Sequence, residues 1–109
     1  MDDRVWRSLL FDYYGELLTP RQRECYDLHY NGDLSLQEIA EETGASRQAV
    51  WVSIRRAEEI LRELEEKTGL VARTLRRREL YRELAELARA LPDSPEARRL
   101  LEKLGELDD

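Results

Sequence analysis

Cys25 and His29 have residue types and a spacing that could support nucleophilic or metal chemistry. Four residues apart, they fall on one face of a helix. A cysteine beside a histidine can act as an activated thiolate, and both side chains bind zinc. A structural zinc site needs about four ligands, however, and these are the single cysteine and the single histidine of the chain. We therefore expect no metal, cofactor or disulfide, and we interpret the pair as a core residue and a rim residue of a helix.

Catalysis by this pair would also need an orienting residue, an oxyanion donor and a tight glycine-rich turn. The sequence has no such motif around Cys25 and no phosphate-binding glycine loop. The spacing still permits a Cys–His nucleophile, but the sequence favours a binding protein over an enzyme.

Composition is typical of a soluble, mostly helical protein, with 39% charged and 41% hydrophobic residues and only three prolines. No apolar run approaches the roughly 20 residues that span a bilayer. The N-terminus, MDDRVWRSLL, is acidic where a signal peptide would be basic, so we expect a cytoplasmic protein without membrane contact. A net charge of −6 argues against nonspecific DNA binding, which depends on phosphate contacts.

Residues 35–54, SLQEIAEETGASRQAVWVSI, have the pattern of a helix-turn-helix. Ser35 and Glu38 predict a capping box at the start of its first helix. Gly44 permits the positive φ of a tight turn, and Ser46 is the expected cap of the second helix. The expected packing contacts between the two helices are Ile39, Ala40, Val50 and Ile54.

The flanking segments also predict helices, so the expected fold class is all-α, a helix-turn-helix with an aromatic N-terminal helix and a C-terminal helical extension. The aromatic helix should span residues 2–18, and Thr19 and Pro20 should start the next, which ends at residues 31–33. The second motif helix should continue for about 20 residues, or about 30 Å, to Gly69.

Residues 70–91 predict a further long helix, which Pro92 ends, and a short last helix should follow from Ser94. We therefore divide the chain into a helix-turn-helix domain, residues 1–69, and a helical extension, residues 70–109. Leu80, Leu84, Leu87 and Leu91 form one apolar stripe of the long helix.

The same stripe continues backwards into arginines, because 100° per residue places Arg73, Arg76 and Arg77 on it. Either the helix bends near Arg78, or its first half leaves the core and presents these side chains. Residues 70–91 contain six basic and three acidic residues, so this segment has a net charge of +3. Arg73, Arg76, Arg77 and Arg78 are therefore a candidate phosphate-binding patch, or alternatively a solvated helix face.

The N-terminal helix carries an unusually broad stripe of large apolar side chains. It is either a core helix buried on two sides or a helix that contacts a second copy of the chain. We take Trp6, Leu10, Tyr13 and Tyr14 as candidate dimer contacts, and we expect a homodimer.

Two resemblances follow from these motifs. Residues 18–61, LTPRQRECYDLHYNGDLSLQEIAEETGASRQAVWVSIRRAEEIL, resemble region 4 of bacterial sigma factors and related response-regulator output domains. Residues 9–70 are similar to the YlxM family, small bacterial proteins associated with the signal recognition particle pathway. This match includes the aromatic segment LFDYYGELLT, which sigma region 4 lacks, and covers over half the chain.

The resemblance to the YlxM family implies a dimeric, all-α protein. Genes of the family typically lie beside the gene of the signal recognition particle GTPase. The resemblance thus implies that this protein modulates the particle through that GTPase, its receptor or its RNA. A transcription regulator that binds duplex DNA and an adaptor without a nucleic acid partner are the alternative functions.

Matched to the sigma-type motif, Ser46, Arg47 and Gln48 fall where groove-reading helices make their first contacts. Trp51, Val52 and Arg55 fall further along the same exposed face. Sigma-like readers carry arginine or glutamine at the position of Trp51. An indole cannot pair with a base edge bidentately, but it can anchor a protein interface or stack on an unpaired base. We therefore expect these six residues to contact a component of the particle rather than duplex DNA.

Overall fold

The computed structural model describes residues 3–107, which form six α-helices and one 3-10 turn without a β-strand. The predicted all-α class is confirmed. The chain divides after Val71 into two compact units, whereas the sequence-based boundary followed Gly69. The helices are α1 (Asp3–Tyr14), α2 (Pro20–Tyr30), α3 (Leu36–Thr43), α4 (Arg47–Thr68), α5 (Leu70–Arg89) and α6 (Pro95–Leu107), with the 3-10 turn at Gly15–Leu17.

The first helix is shorter than predicted, because α1 ends at Tyr14 and Leu18 is extended. Gly15 has a low helix propensity, and the chain tightens into the 3-10 turn, where the Leu18 N–H donates to the Gly15 carbonyl at 3.1 Å. The extended Leu18 leads to Thr19, which caps α2. Asp2, the predicted first residue of the first helix, lies outside the described residues.

The core of the first unit lies among α2, α3 and α4. Cys25, Ile39, Val50 and Ile54 form a buried cluster, and the predicted packing residue Ala40 lies half-buried against it. Gly44 ends α3 in the left-handed region, with φ 77°, and its N–H donates to the Ala40 carbonyl at 2.9 Å. The two motif helices therefore cross as the sequence predicts, with Val50 and Ile54 facing inward.

A buried polar network joins α1 to the corner between α4 and α5. The Tyr14 hydroxyl donates to Glu65 Oε1 at 2.6 Å and also contacts the Thr68 hydroxyl. Glu65 Oε1 accepts a second hydrogen bond from the Val71 backbone N–H at 3.0 Å. Burial, followed by the Glu65 hydrogen bond, raises the pKa of Tyr14, so this hydroxyl stays a donor. These hydrogen bonds all lie within the first unit, which ends at Val71.

In the second unit, the predicted leucine stripe faces outward. α5 is one continuous helix, but Leu80, Leu84, Leu87 and Leu91 are exposed. The buried positions of α5 in this unit are Thr74, Ala85 and Ala88, with Tyr81 half-buried. α6 buries Ala97 and Leu104. Within residues 3–107, no helix is long and apolar enough to cross a bilayer.

Candidate partner-binding site

The capped start of α4 holds the first three candidate contact residues. The Ser46 hydroxyl accepts the Ala49 backbone N–H at 3.0 Å, so the predicted cap is confirmed and this side chain is committed to the helix. Arg47 and Gln48 follow in the first turn and are exposed. Arg47 has no acidic partner within ion-pair distance among residues 3–107. Its guanidinium is thus available to a ligand.

An exposed aromatic–cationic pair follows one turn later. The Trp51 side chain is 47% exposed, and Val52 beside it is 44% exposed. The Arg55 guanidinium lies over the indole, with Cζ 5.6 Å from the ring centroid. Because Val50 and Ile54 of the same helix are buried in the core, the outward direction of Trp51 and Arg55 is set by the packing of α4.

The neighbouring helix α3 carries acidic side chains. Glu38, Glu41 and Glu42 are exposed, and α3 contains no lysine or arginine. Glu38 completes the predicted capping box, in which its carboxylate accepts the Ser35 backbone N–H at 2.9 Å. That backbone hydrogen bond, with the Ser35 hydroxyl, keeps the pKa of Glu38 below its usual value. The helix-turn-helix surface is therefore basic and aromatic on the first half of α4, residues 47–56, and acidic on α3.

The candidate phosphate patch lies on α5 and belongs to the second unit. Arg73, Arg76, Arg77 and Arg78 are all exposed. Arg76 forms an ion pair with Glu79 at 3.2 Å, and Arg73 and Arg77 make interactions of their own. The patch is thus partly neutralised by its own helix, and its role as a phosphate site stays a prediction.

The surroundings of Cys25 and His29 disfavour a reactive thiol. Cys25 is completely buried, and this burial raises the pKa of its thiol, which disfavours the thiolate. His29 Nδ1 lies 2.8 Å from the Leu34 carbonyl oxygen. Within residues 3–107, no group of three His, Cys, Asp or Glu side chains could hold a metal ion. The interpretation of the pair as core and rim residues agrees with this placement.

The four candidate dimer contacts of α1 differ in how far they are buried. Leu10 and Tyr14 are buried inside the first unit, and Trp6 is half-buried. Tyr13 is 42% exposed. Of the four, Tyr13 and part of Trp6 remain accessible to a second copy of the chain.

A groove of about 300 Å³ between α1, α2 and α4 was not foreseen from the sequence. On its wall, the Tyr30 hydroxyl donates to Glu58, and the Arg7 guanidinium lies 4.7 Å from the Tyr30 ring centroid. Burial, then the Glu58 hydrogen bond, raises the pKa of Tyr30 to about 12. The broad apolar stripe of the N-terminal helix was the sequence signal for this groove. The Tyr30–Glu58 hydrogen bond could not be predicted, because the two residues lie 28 positions apart on different helices. The groove lining is Trp6, Arg7, Leu10, Tyr26, Tyr30, Glu58, Leu61, Arg62, Glu65 and Glu66.

These features define an all-α helix-turn-helix protein with a long second helix. The chain belongs to the family UPF0122, described as "Putative helix-turn-helix protein, YlxM / p13 like", whose model matches residues 1–100. The resemblance inferred from the motifs is thereby confirmed.

Individual relatives match most or all of the chain. A UPF0122 protein of Halalkalibacterium halodurans is 43% identical over 108 residues, which cover 99% of both chains. The UPF0122 protein YlxM of Bacillus subtilis is 43% identical over 101 residues, 93% of this chain and 92% of that protein. A UPF0122 protein of Clostridium kluyveri is 52% identical over 71 residues, 65% of this chain and 64% of that protein.

Proposed function

We propose that this chain is a non-enzymatic, cytoplasmic binding protein that regulates the bacterial signal recognition particle. Its partner is the particle's GTPase, the receptor of that GTPase, or the particle RNA. The exposed face of α4 makes the contact, through Arg47, Gln48, Trp51, Val52 and Arg55.

The exposure of Trp51 and Val52 is the observation that carries this proposal. A helix that reads base pairs needs hydrogen-bonding side chains at its centre, whereas these two residues offer an indole and an isopropyl group. Tryptophan and arginine, here Trp51 and Arg55, are the residue types enriched in binding hot spots. Membership of the YlxM-like family supports the choice of pathway, because the resemblance implies a role beside the particle's GTPase.

Binding to the separate components tests the proposal. The labelled full chain is titrated with the purified GTPase, its receptor and the particle RNA, each alone and then combined. We expect at least one component to bind at micromolar concentration or below. Nuclease treatment separates an RNA contact from a protein contact. Failure of all three, alone and together, would refute the proposal.

A transcription regulator is the second candidate, and the start of α4 favours it. Arg47 and Gln48 are exposed in the first turn, where base contacts of helix-turn-helix proteins cluster. A dimer of this kind selects a palindromic site with half-sites about 34 Å apart. Selection from random duplex DNA that enriches such a site would establish this function instead.

The arginines of α5 are the second proposed contact, directed at phosphates. Changing Arg73, Arg76, Arg77 and Arg78 to glutamate is expected to weaken RNA binding about 10-fold or more and to flatten its salt dependence, since each phosphate contact releases counterions. A filter-binding titration at several salt concentrations measures both effects. Unchanged affinity would eliminate the patch. Glutamate at Arg82, Arg89, Arg99 and Lys103, four exposed positions of the same unit, gives the matched charge control.

We also propose a homodimer, formed through an exposed leucine row that consists of Leu80, Leu84 and Leu87 on α5 with Leu91 just beyond its end. The spacings of four and three residues along α5 suit helix–helix packing, and a row this exposed is unusual for a monomer. Leu84 is 50% exposed and Leu87 is 67% exposed, so both present at least half of their surface outside their own unit.

Changing Leu84 and Leu87 to lysine should convert the dimer into a folded monomer at micromolar concentration. Sedimentation equilibrium measures the mass, and circular dichroism checks that helix content is kept. Tyr13→Lys is the comparison variant, because it tests the contact expected from α1. A wild-type mass equal to one chain would refute the dimer, and dissociation by Tyr13→Lys alone would place the contact on α1.

A further inference from the structure

The aromatic–cationic pair on α4 has a shape that suits a flat ligand. Nearly half of the Trp51 surface is open, although Arg55 lies over part of the ring. An indole offers a single N–H donor, so it cannot match the edge of a base pair. Its π-face instead stacks on a base of any type, and an arginine plane extends such a platform.

Charges along α4 are placed to hold the strand that carries the base. Arg47 lies four residues before Trp51 and Arg55 four residues after it, so both side chains share its face. The two arginine positions are about 12 Å apart along the helix axis. A strand stacked on Trp51 therefore lies between two positively charged residues of the same helix face.

The acidic surface of α3 distinguishes an unpaired strand from a duplex. In helix-turn-helix complexes, the first motif helix crosses the sugar–phosphate backbone of the duplex. Here that helix exposes Glu38, Glu41 and Glu42 and has no basic residue. These carboxylates would repel the phosphates of a duplex docked in this way, whereas a nucleotide projecting onto α4 avoids them.

We propose that Trp51, flanked by Arg47 and Arg55, is the stacking platform for an unpaired base of a folded RNA. Folded RNAs present unstacked bases in loops and bulges, and aromatic and arginine planes are what recognises them. The inference rests on the proposed use of the α4 face for binding, but it does not depend on which RNA is bound.

Trp51 fluorescence reports this contact directly. The chain has two tryptophans, so Trp6→Phe leaves Trp51 as the single indole emitter. This variant is titrated with an RNA hairpin that carries one bulged adenosine, and with the same hairpin without the bulge. We expect the bulged hairpin to quench the emission and to bind about 10-fold tighter. A bulged DNA hairpin of the same sequence and a blunt DNA duplex complete the set.

Substitutions separate stacking from charge. With a labelled bulged RNA, Trp51→Ala should lose about 10-fold in affinity, while Trp51→Phe keeps most of it because a ring remains. Arg55→Gln should weaken binding, and the exposed Arg21→Gln on α2 is the matched charge control. Leu17→Ala is the control for loss of an exposed apolar side chain. Circular dichroism confirms that each variant is folded.

Three results would overturn the inference: no preference for the bulge, equal or tighter binding of DNA in either form, or unchanged RNA affinity in Trp51→Ala. If Trp51→Ala loses binding to a protein component of the particle but keeps its RNA affinity, Trp51 is a protein contact instead. If stacking is observed but no particle component binds the wild-type chain, the pathway assignment fails and the RNA platform stands. If a particle component binds but the bulged RNA hairpin does not quench Trp51, the platform fails alone.

Discussion

Replacing Ile39 with alanine is expected to lower the free energy of unfolding by about 2–5 kcal/mol. Ile39 has no exposed surface and packs with Cys25, Val50 and Ile54 at the crossing of α3 and α4. Its removal leaves a cavity that the close crossing cannot readily fill. Because small domains are stable by only about 5–15 kcal/mol, this change can remove a large part of the total.

Urea unfolding followed by circular dichroism measures this effect. Ile39→Val removes one methylene group and should cost about 0.5–1.5 kcal/mol, so the two variants form a series. Val52→Ala is the matched control, since Val52 is exposed on the neighbouring helix and should change stability by no more than about 0.5 kcal/mol. Equal effects of Ile39→Ala and Val52→Ala would contradict the packing of α3 on α4.

Replacing Glu65 with alanine is expected to cost about 2–4 kcal/mol, because two buried donors lose their acceptor at about 1–3 kcal/mol each. Those donors are the Tyr14 hydroxyl and the Val71 backbone N–H. Tyr14 keeps its contact with Thr68, which lowers the loss at that donor. Glu66→Ala removes the adjacent, exposed carboxylate and should cost no more than about 0.5 kcal/mol.

A double-mutant cycle with Tyr14→Phe isolates the contact between the two side chains. A coupling of about 0.5–3 kcal/mol is expected for directly bonded buried groups. Amide hydrogen exchange should also show faster opening at Val71 in Glu65→Ala, because this N–H begins α5 and loses its acceptor. Additive effects of the two substitutions, with unchanged exchange at Val71, would show that the network does not hold this corner.

The helix-turn-helix was predictable from sequence because its determinants are local. Ser35 and Glu38 bond across three residues, Gly44 supplies a left-handed turn, and Ser46 caps the next helix whatever packs around it. The period of α4 likewise predicted that Trp51 and Val52 face outward once Val50 and Ile54 face the core. These features follow from neighbouring residues, so distant contacts were not needed to infer them.

Only the tertiary structure decided which apolar faces are covered. Leucines marked a stripe on α5, but the alanines Ala85 and Ala88 are buried there, because periodicity identifies a face without showing what packs on it. The same limit applies to α1, where Tyr14 turns inward to a carboxylate 51 residues away while Tyr13 stays exposed. Sequence thus determined the motif and the outward side of its second helix. Long-range packing decided the buried polar network, the groove, and the exposure of the leucine row.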